Sequence, residues 1–190
     1  AGTLGNKPCS TSGKMPWGNV SWTEASAACC ALNADGQCPS GGKGWELCDS
    51  ATWASACKGP AGTCTWGYSN TGAAVCAHDP RVTTYQDVCL GSEALSAGVV
   101  TCPSGVTQCA TTTGSSSFAQ CRAALGGGDV FDLSGNLKEW TRTSPASGIY
   151  EIRGGSYNNL ENGRTCDFNF TVGATSFRFP NTGFRCCYYP

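Results

Sequence analysis

The feature that most constrains this chain is its 15 cysteines, which are spread along all 190 residues. Zinc modules place cysteines in closely spaced CxxC pairs, and no such pair occurs in this sequence. Dispersed cysteines at this density indicate disulfide bonds formed in an oxidising compartment, so we expect an extracellular or cell-surface protein. Because the count is odd, one thiol is free, bonds another chain, or bonds a segment outside this sequence.

The charge and hydrophobicity of the chain indicate which classes of partner to expect. Charged residues make up 13% of the chain, the formal net charge is −1, and Lys and Arg form no cluster long enough to follow a phosphate backbone. We therefore expect no nucleic-acid partner. No hydrophobic run approaches the roughly 20 residues of a membrane span, so we expect no insertion into a bilayer. A surface this poor in charge repels its own copies weakly, which permits self-association.

Capping signals predict two short helices. Ser21 precedes an Ala-rich stretch and Glu24 follows three residues later, as in a capping box, which predicts a helix over residues 21–32. A second helix is predicted over residues 50–57 and ends at the Lys-Gly-Pro sequence of residues 58–60. The 26 glycines and many Ser, Thr and Asn residues otherwise indicate a loop-rich body.

Strand signals are confined mainly to the last third of the chain. Alternating apolar and polar residues predict strands over residues 138–143, 150–154 and 182–189. Residues 61–128 contain few apolar side chains, so we expect disulfide-pinned loops with short strands there. Residues 158–181 are polar and aromatic by turns, as in an exposed loop built on a scaffold.

Six short motifs follow one another between residues 17 and 187. They are NVSWTEA at 19–25, WELCDSATW at 45–53 with ACKG at 56–59, TWG at 65–67, VFDLSGNLKEWT at 130–141, IRGGSY at 152–157 and NTGFRC at 181–186. In this order they resemble VSWxDA, RLPTEAEWEYACRG, YPWG, GLYDMxGNVWEWT, VLRGGSW and NIGFRC, the signature of the formylglycine-generating-enzyme (sulfatase-modifying-factor) family.

The resemblance implies an α+β, C-type-lectin-like (formylglycine-generating-enzyme-like) fold that is loop-rich, stabilised by disulfides and poor in regular secondary structure. It divides the chain into an N-terminal arm at residues 1–16 and a single domain at residues 17–190. Within that domain, a Cys-rich middle insertion covers about residues 61–128, which match the family only at TWG.

Disulfide pairs also follow from the resemblance. It implies that Cys29 bonds Cys186, and that Cys57 bonds Cys166. Cys30 and Cys187 adjoin the first of these pairs, and they either bond each other or mark a departure from the family. The remaining cysteines allow too many connectivities to assign.

The resemblance bears on catalysis through two positions. The family's enzyme oxidises a cysteine with two thiolates that bind copper(I), a metal that soft sulfur ligands select. Both thiolates follow the GGSW motif, at positions that fall on Asn159 and near Arg164 in this chain. The thiol of that stretch, Cys166, is implied to form a disulfide, so we predict no copper and no enzyme activity. His78, in a turn before Asp79, is interpreted as a surface residue and not as a catalytic base.

A calcium site is implied at the GNxWEW turn, where hard oxygen ligands converge in the family. The matching groups are Asn136, the carbonyl of Leu137, and Glu139. Two interpretations remain open: either these groups hold calcium, or Asn136 forms the turn while Glu139 pairs with Lys138 or an arginine.

The loop that follows builds the ligand surface in lectin-fold relatives. Its polar binding candidates are Asn158, Asn159, Asn162, Arg164 and Asp167. Its alternating aromatic residues are interpreted as strand faces and core: Phe168, Phe170, Phe177 and Phe179.

Two functions fit these observations. The first is a non-catalytic extracellular binding or adhesion module that uses the lectin-like loop face for a glycan or a cell-surface protein. The alternative is a self-assembling structural subunit of an extracellular filament or appendage, whose partners are copies of itself. The odd cysteine count favours the alternative, because Cys9 or a neighbour could bond an adjacent chain. A copper-dependent formylglycine-generating oxidase is the least favoured function.

Overall fold

The computed structural model describes residues 7–8, 11–40, 42–76, 88–173 and 175–190. Among them, short helices and strands are joined by long irregular connections. The predicted α+β, loop-rich architecture is confirmed.

Helix α1, Trp22–Cys30, begins at the predicted capping box. The Ser21 hydroxyl accepts a hydrogen bond from the backbone N–H of Glu24, and the Glu24 carboxylate accepts one from the backbone N–H of Ser21 at 2.9 Å. These bonds satisfy donors that a helix start otherwise leaves unpaired. The helix is confirmed, although it covers less than the predicted residues 21–32 because its last residues form a turn.

Helix α2, Ser50–Lys58, is confirmed at its predicted place. The Asp49 carboxylate caps it by accepting a hydrogen bond from the backbone N–H of Thr52 at 2.6 Å. Gly59 ends it with φ of 68°, a conformation that glycine adopts without steric cost. A third helix, α3, covers Ser92–Ser96 inside the Cys-rich middle insertion.

Three sheets contain the strands of the described residues. Strand orders are β1-β9-β2, β3-β4 and β7-β6-β5-β8, and neighbours are antiparallel except β5 and β8, which are parallel. The bounds are β1 Lys7–Pro8, β2 Gly44–Leu47, β3 Arg122–Leu125, β4 Gly128–Phe131, β5 Lys138–Trp140, β6 Tyr150–Arg153, β7 Asn169–Val172, β8 Thr182–Phe184 and β9 Cys186–Tyr189.

The C-terminal segment departs from the sequence prediction. One strand was expected over residues 182–189, but the segment divides at Arg185 into β8 and β9, which belong to different sheets. Arg185, between them, is buried and bonds Glu139, so the strand is interrupted at a residue whose side chain is held inside the protein. Residues 158–181, predicted to be a loop, contain β7, which pairs with β6 at the edge of the four-stranded sheet.

The apolar core consists of three clusters. One joins α2 to the β3-β4 hairpin around Trp53. Another joins α1 to the four-stranded sheet around Trp140 and Ile152. The third joins α3 and the rest of the insertion to the turn before β5, around Leu90 and Leu137.

Seven disulfides connect these parts. The structure contains both pairs that the resemblance implied, whereas Cys30 and Cys187 do not bond each other. All cysteines of the described residues are paired, and Cys9 lies outside those residues. The pairs are Cys29–Cys186, Cys30–Cys38, Cys48–Cys187, Cys57–Cys166, Cys64–Cys76, Cys89–Cys121 and Cys102–Cys109.

Seven disulfides are compatible with an oxidising compartment. Among the helices described, none has the length and apolar character needed to cross a bilayer.

Candidate functional site

The turn before β5 is held by a buried asparagine. Asn136 has φ of 61°, a left-handed conformation that asparagine tolerates better than most residues. Its side-chain oxygen accepts a hydrogen bond from the backbone N–H of Thr111 at 3.0 Å, and its amide donates to the Thr111 carbonyl at 3.1 Å and to Asp132 at 3.2 Å. The turn is thereby tied to the insertion.

Glu139 is buried beneath this turn and is bound on both oxygens. Its Oε1 accepts a hydrogen bond from Nη2 of Arg185 at 2.6 Å, and its Oε2 accepts from Nε of Arg185 at 2.9 Å. Oε2 also accepts from the indole N–H of Trp53 at 2.7 Å. Such a bidentate, desolvated pair is among the strongest polar contacts that a protein forms.

These contacts bear on the predicted calcium site. The side-chain oxygens of Asn136 and Glu139 that calcium would need already accept hydrogen bonds. Of the two interpretations left open by the sequence, the one in which Glu139 pairs with an arginine describes the contacts of Glu139. No group of three or more His, Cys, Asp or Glu side chains within the described ranges is arranged to hold a metal ion. As arranged, the side-chain oxygens of Asn136 and Glu139 are engaged by protein donors, and calcium binding through Asn136, Leu137 and Glu139 stays a prediction.

Asp132 lies beside this pair and is 9% exposed. Its Oδ2 accepts hydrogen bonds from the side-chain amide of Asn136 at 3.2 Å and from the backbone N–H of Gly114 at 3.3 Å. Burial raises the pKa of Asp132 to about 6, although the Asn136 bond and the nearby Arg185 guanidinium act in the opposite direction.

The two positions that carry copper thiolates in the family are covered by the insertion. The backbone carbonyl of Asn159 accepts a hydrogen bond from the N–H of Ser92 at 3.0 Å. Arg164 is 2% exposed, and it donates to the Cys89 carbonyl at 3.2 Å and to the Glu93 carboxylate at 2.9 Å. Ser92, Cys89 and Glu93 all belong to the insertion, at or next to the start of α3. The insertion therefore packs against both positions.

The third residue of that stretch gives no second thiolate either. Cys166 forms the disulfide with Cys57 and is fully buried. The residues present therefore do not fit a copper site made of two thiolates. His78 lies outside the described residues.

The polar binding candidates separate into two groups. Arg164 is buried, and Asn159 is half-buried with its side-chain oxygen accepting from the N–H and hydroxyl of Ser156, so both are engaged inside the protein. Asn158, Asn162 and Asp167 are exposed. The loop thus offers solvent only some of the predicted side chains.

An aromatic surface lies next to the exposed candidates. Phe168 packs edge-on against Phe170 with ring centroids 4.7 Å apart, and Phe177 lies 4.2 Å from Phe179. The ammonium of Lys138 lies between the pairs, 4.7 Å from the Phe170 centroid and 4.8 Å from that of Phe179. We call these four rings and Lys138 the aromatic face.

The outer rings of the aromatic face are open to solvent. Phe168 is 38% exposed and Phe177 is 44% exposed, whereas Phe170 packs against the core cluster of the four-stranded sheet. The interpretation as strand faces and core therefore holds for Phe170, which lies in β7. It is wrong for Phe168 and Phe177, which are exposed and outside the strands, and Phe179 is half-buried but also outside them. Burial lowers the pKa of Lys138, and the facing rings stabilise its charge.

The sequence and the fold both resemble known proteins. The model of the sulfatase-modifying factor enzyme 1-like domain matches residues 3–189. No curated protein matches the chain. Among solved structures, Treponema denticola variable protein 1 has a TM-score of 0.59 at 17% identity, over 96% of this chain and 75% of that chain.

Two further solved structures share the fold. PvdO from Pseudomonas aeruginosa has a TM-score of 0.62 at 13% identity, over 97% of this chain and 66% of that chain. CarF has a TM-score of 0.55 at 20% identity, over 94% of this chain and 69% of that chain. Since the family model covers nearly the whole sequence, the chain belongs to the sulfatase-modifying factor family.

Proposed function

We propose that this chain is a non-catalytic extracellular binding domain, which holds a glycan or a cell-surface protein on its aromatic face. The observation that carries the proposal is the pair of exposed rings, Phe168 and Phe177, each seated on a half-buried ring. Rings fixed in this way lose little side-chain entropy on binding, which is why rigid aromatic residues dominate binding surfaces.

Exposed polar groups of the same loop suit the same role. Asp167 directly precedes Phe168, and its carboxylate pairs with Lys58 at 2.5 Å while remaining mostly exposed. The Asn158 side-chain oxygen accepts a hydrogen bond from the Asn181 amide at 2.8 Å, which joins the loop to the segment before β8. An apolar centre with a polar rim is the usual composition of an interface.

We expect a double Phe168→Ala/Phe177→Ala variant to lose glycan-array binding by at least about tenfold, as loss of binding hot spots does. The probe is the labelled wild-type domain on an array of defined glycans, followed by titration of each captured glycan. A matched Leu32→Ala/Val106→Ala variant removes exposed apolar side chains elsewhere and should bind as the wild type does.

Other outcomes separate the alternatives. Equal binding by the aromatic and control variants would remove the aromatic face from the proposal. Large species that collapse on reduction, without glycan capture, would instead support the self-assembling subunit. Every other cysteine already has a partner in the seven disulfides, so Cys9 would then need a thiol of another chain.

The proposed lack of catalysis leads to a separate prediction about copper. We expect the oxidised protein to take up no stoichiometric copper(I), because positions 159 and 164 carry no thiol and Cys166 is in a disulfide. The measurement is an anaerobic titration of copper(I) against a chromogenic chelator. One tightly bound copper per chain, together with oxidation of a cysteine-containing peptide, would establish an oxidase.

A further inference from the structure

A cleft of about 180 Å³ opens between the N-terminal segment and the turn before β5. Asp132 after β4, Glu139 in β5 and Arg185 between β8 and β9 form a polar floor. Met15, Trp17 and Phe184 form an apolar wall. The cleft is distinct from the aromatic face, whose residues do not line it. Its small volume suits one side chain or one small ligand group and not a drug-sized molecule.

The charged groups on the floor of the cleft differ in their partners. The Glu139 carboxylate is bound on both oxygens by Arg185, so this pair is internally neutral. Asp132 differs, because both of its hydrogen bonds reach Oδ2. Its Oδ1 has no hydrogen-bond donor among the residues that the structure describes, although the residue is 9% exposed and lines the cleft.

Asp132 lines the cleft, so a ligand or water that enters the cleft can supply the hydrogen bond that the protein does not give to Oδ1. The wall above it is exposed and apolar: Met15 is 63% exposed and Trp17 is 56% exposed. Trp17 is held edge-on against Phe184 with ring centroids 5.6 Å apart, so its indole is positioned without being covered.

We propose that this cleft binds a primary alkylammonium group, which donates to Asp132 Oδ1 while its alkyl chain contacts Trp17 and Met15. An ammonium provides the hydrogen-bond donor and the opposite charge, and indole and phenyl rings attract cations. The group comes either from a small free amine or from a lysine side chain of a partner polypeptide.

The two cations near the cleft are compatible with such a ligand. Arg185 is neutralised by Glu139, and it also donates to the Phe131 carbonyl at 2.8 Å. Lys14 is exposed at the rim, where solvent and salt screen its charge. Asp132 therefore remains the dominant charge for a group that enters the cleft.

The test uses n-butylammonium at about pH 8, where alkylamines carry their proton. We expect a saturable shift of the Trp17 indole N–H resonance, and affinity for uncharged 1-butanol at least about tenfold lower. Asp132→Asn should weaken n-butylammonium binding by at least about tenfold, equivalent to 1.4 kcal/mol. Asparagine suits the φ of 60° at this position and keeps an acceptor for Asn136 and Gly114, so this variant should fold.

Two further variants keep the outcome clear. Asp35→Asn removes an exposed carboxylate elsewhere and should bind as the wild type does. Met15→Ala, at an exposed position, keeps the Trp17 reporter and should weaken binding without unfolding the protein. Equal shifts with n-butylammonium and 1-butanol, unchanged binding by Asp132→Asn, or no saturable shift would overturn the proposal.

A second probe, Nα-acetyl-lysine methylamide, distinguishes the two sources of the ammonium. Binding of both probes supports a lysine side chain of a partner polypeptide. Binding of n-butylammonium alone supports a small free amine, because the cleft would then not admit the backbone on either side of a lysine.

Discussion

A Cys29→Ala/Cys186→Ala variant is expected to lose about 3 kcal/mol of the free energy of unfolding, the chain-entropy value for the loop of residues 29–48 that this cross-link closes while Cys48–Cys187 stays intact. The disulfide joins α1 to β9 across a separation of 157 residues, and Cys29 is fully buried. Domains are typically stable by only about 5–15 kcal/mol, so this loss is a large part of the total. Guanidinium chloride unfolding of the oxidised proteins, followed by tryptophan fluorescence, measures it.

The matched control is a Cys30→Ala/Cys38→Ala variant. This disulfide closes a separation of eight residues, and Cys38 is exposed. The same chain-entropy relation predicts a loss of about 2.5 kcal/mol. A larger loss in this control than in the Cys29→Ala/Cys186→Ala variant would mean that loop closure in the unfolded chain is not the source of the stabilisation.

Local signals in the sequence were sufficient for α1 and α2 but not for α3, which lies where loops and short strands were expected. The capping box of Ser21 and Glu24 and the Gly59 terminus depend on contacts within a few residues, and α1 and α2 form at their predicted places. Disulfide partners are different, because they depend on distances that the whole fold sets. The family resemblance supplied two pairs, but the partners of Cys30 and Cys187 needed the structure.

The candidate site shows the same limit. Arginine is a residue type common at binding surfaces, yet Arg164 is buried because α3 lies against it. No family motif matches α3. Phe177 has the pattern of a core residue, yet no described segment covers it sufficiently to bury it. Both outcomes depend on how the insertion and the loop after β7 pack, which neither periodicity nor composition specifies.

The Glu139–Arg185 pair gives the second large effect. A Glu139→Gln variant is expected to lose about 3–5 kcal/mol, because breaking a buried pair leaves one charge uncompensated. Here that charge is Arg185, whose side chain is 5% exposed and which lies between β8 and β9. Chemical unfolding of the oxidised variant under the same conditions measures the loss.

A double-mutant cycle identifies the origin of this loss. Arg185→Met removes the other charge, and Glu139→Gln/Arg185→Met should be less destabilised than the sum of the single variants, since the isolated charge is then gone. Asp129→Asn is the exposed control, because its pair with Arg122 is open to solvent and should contribute at most about 1 kcal/mol. Additive losses would mean that the two residues act separately. A calcium-induced rise in wild-type stability that Glu139→Gln abolishes would mean that Glu139 binds the metal and not only the guanidinium.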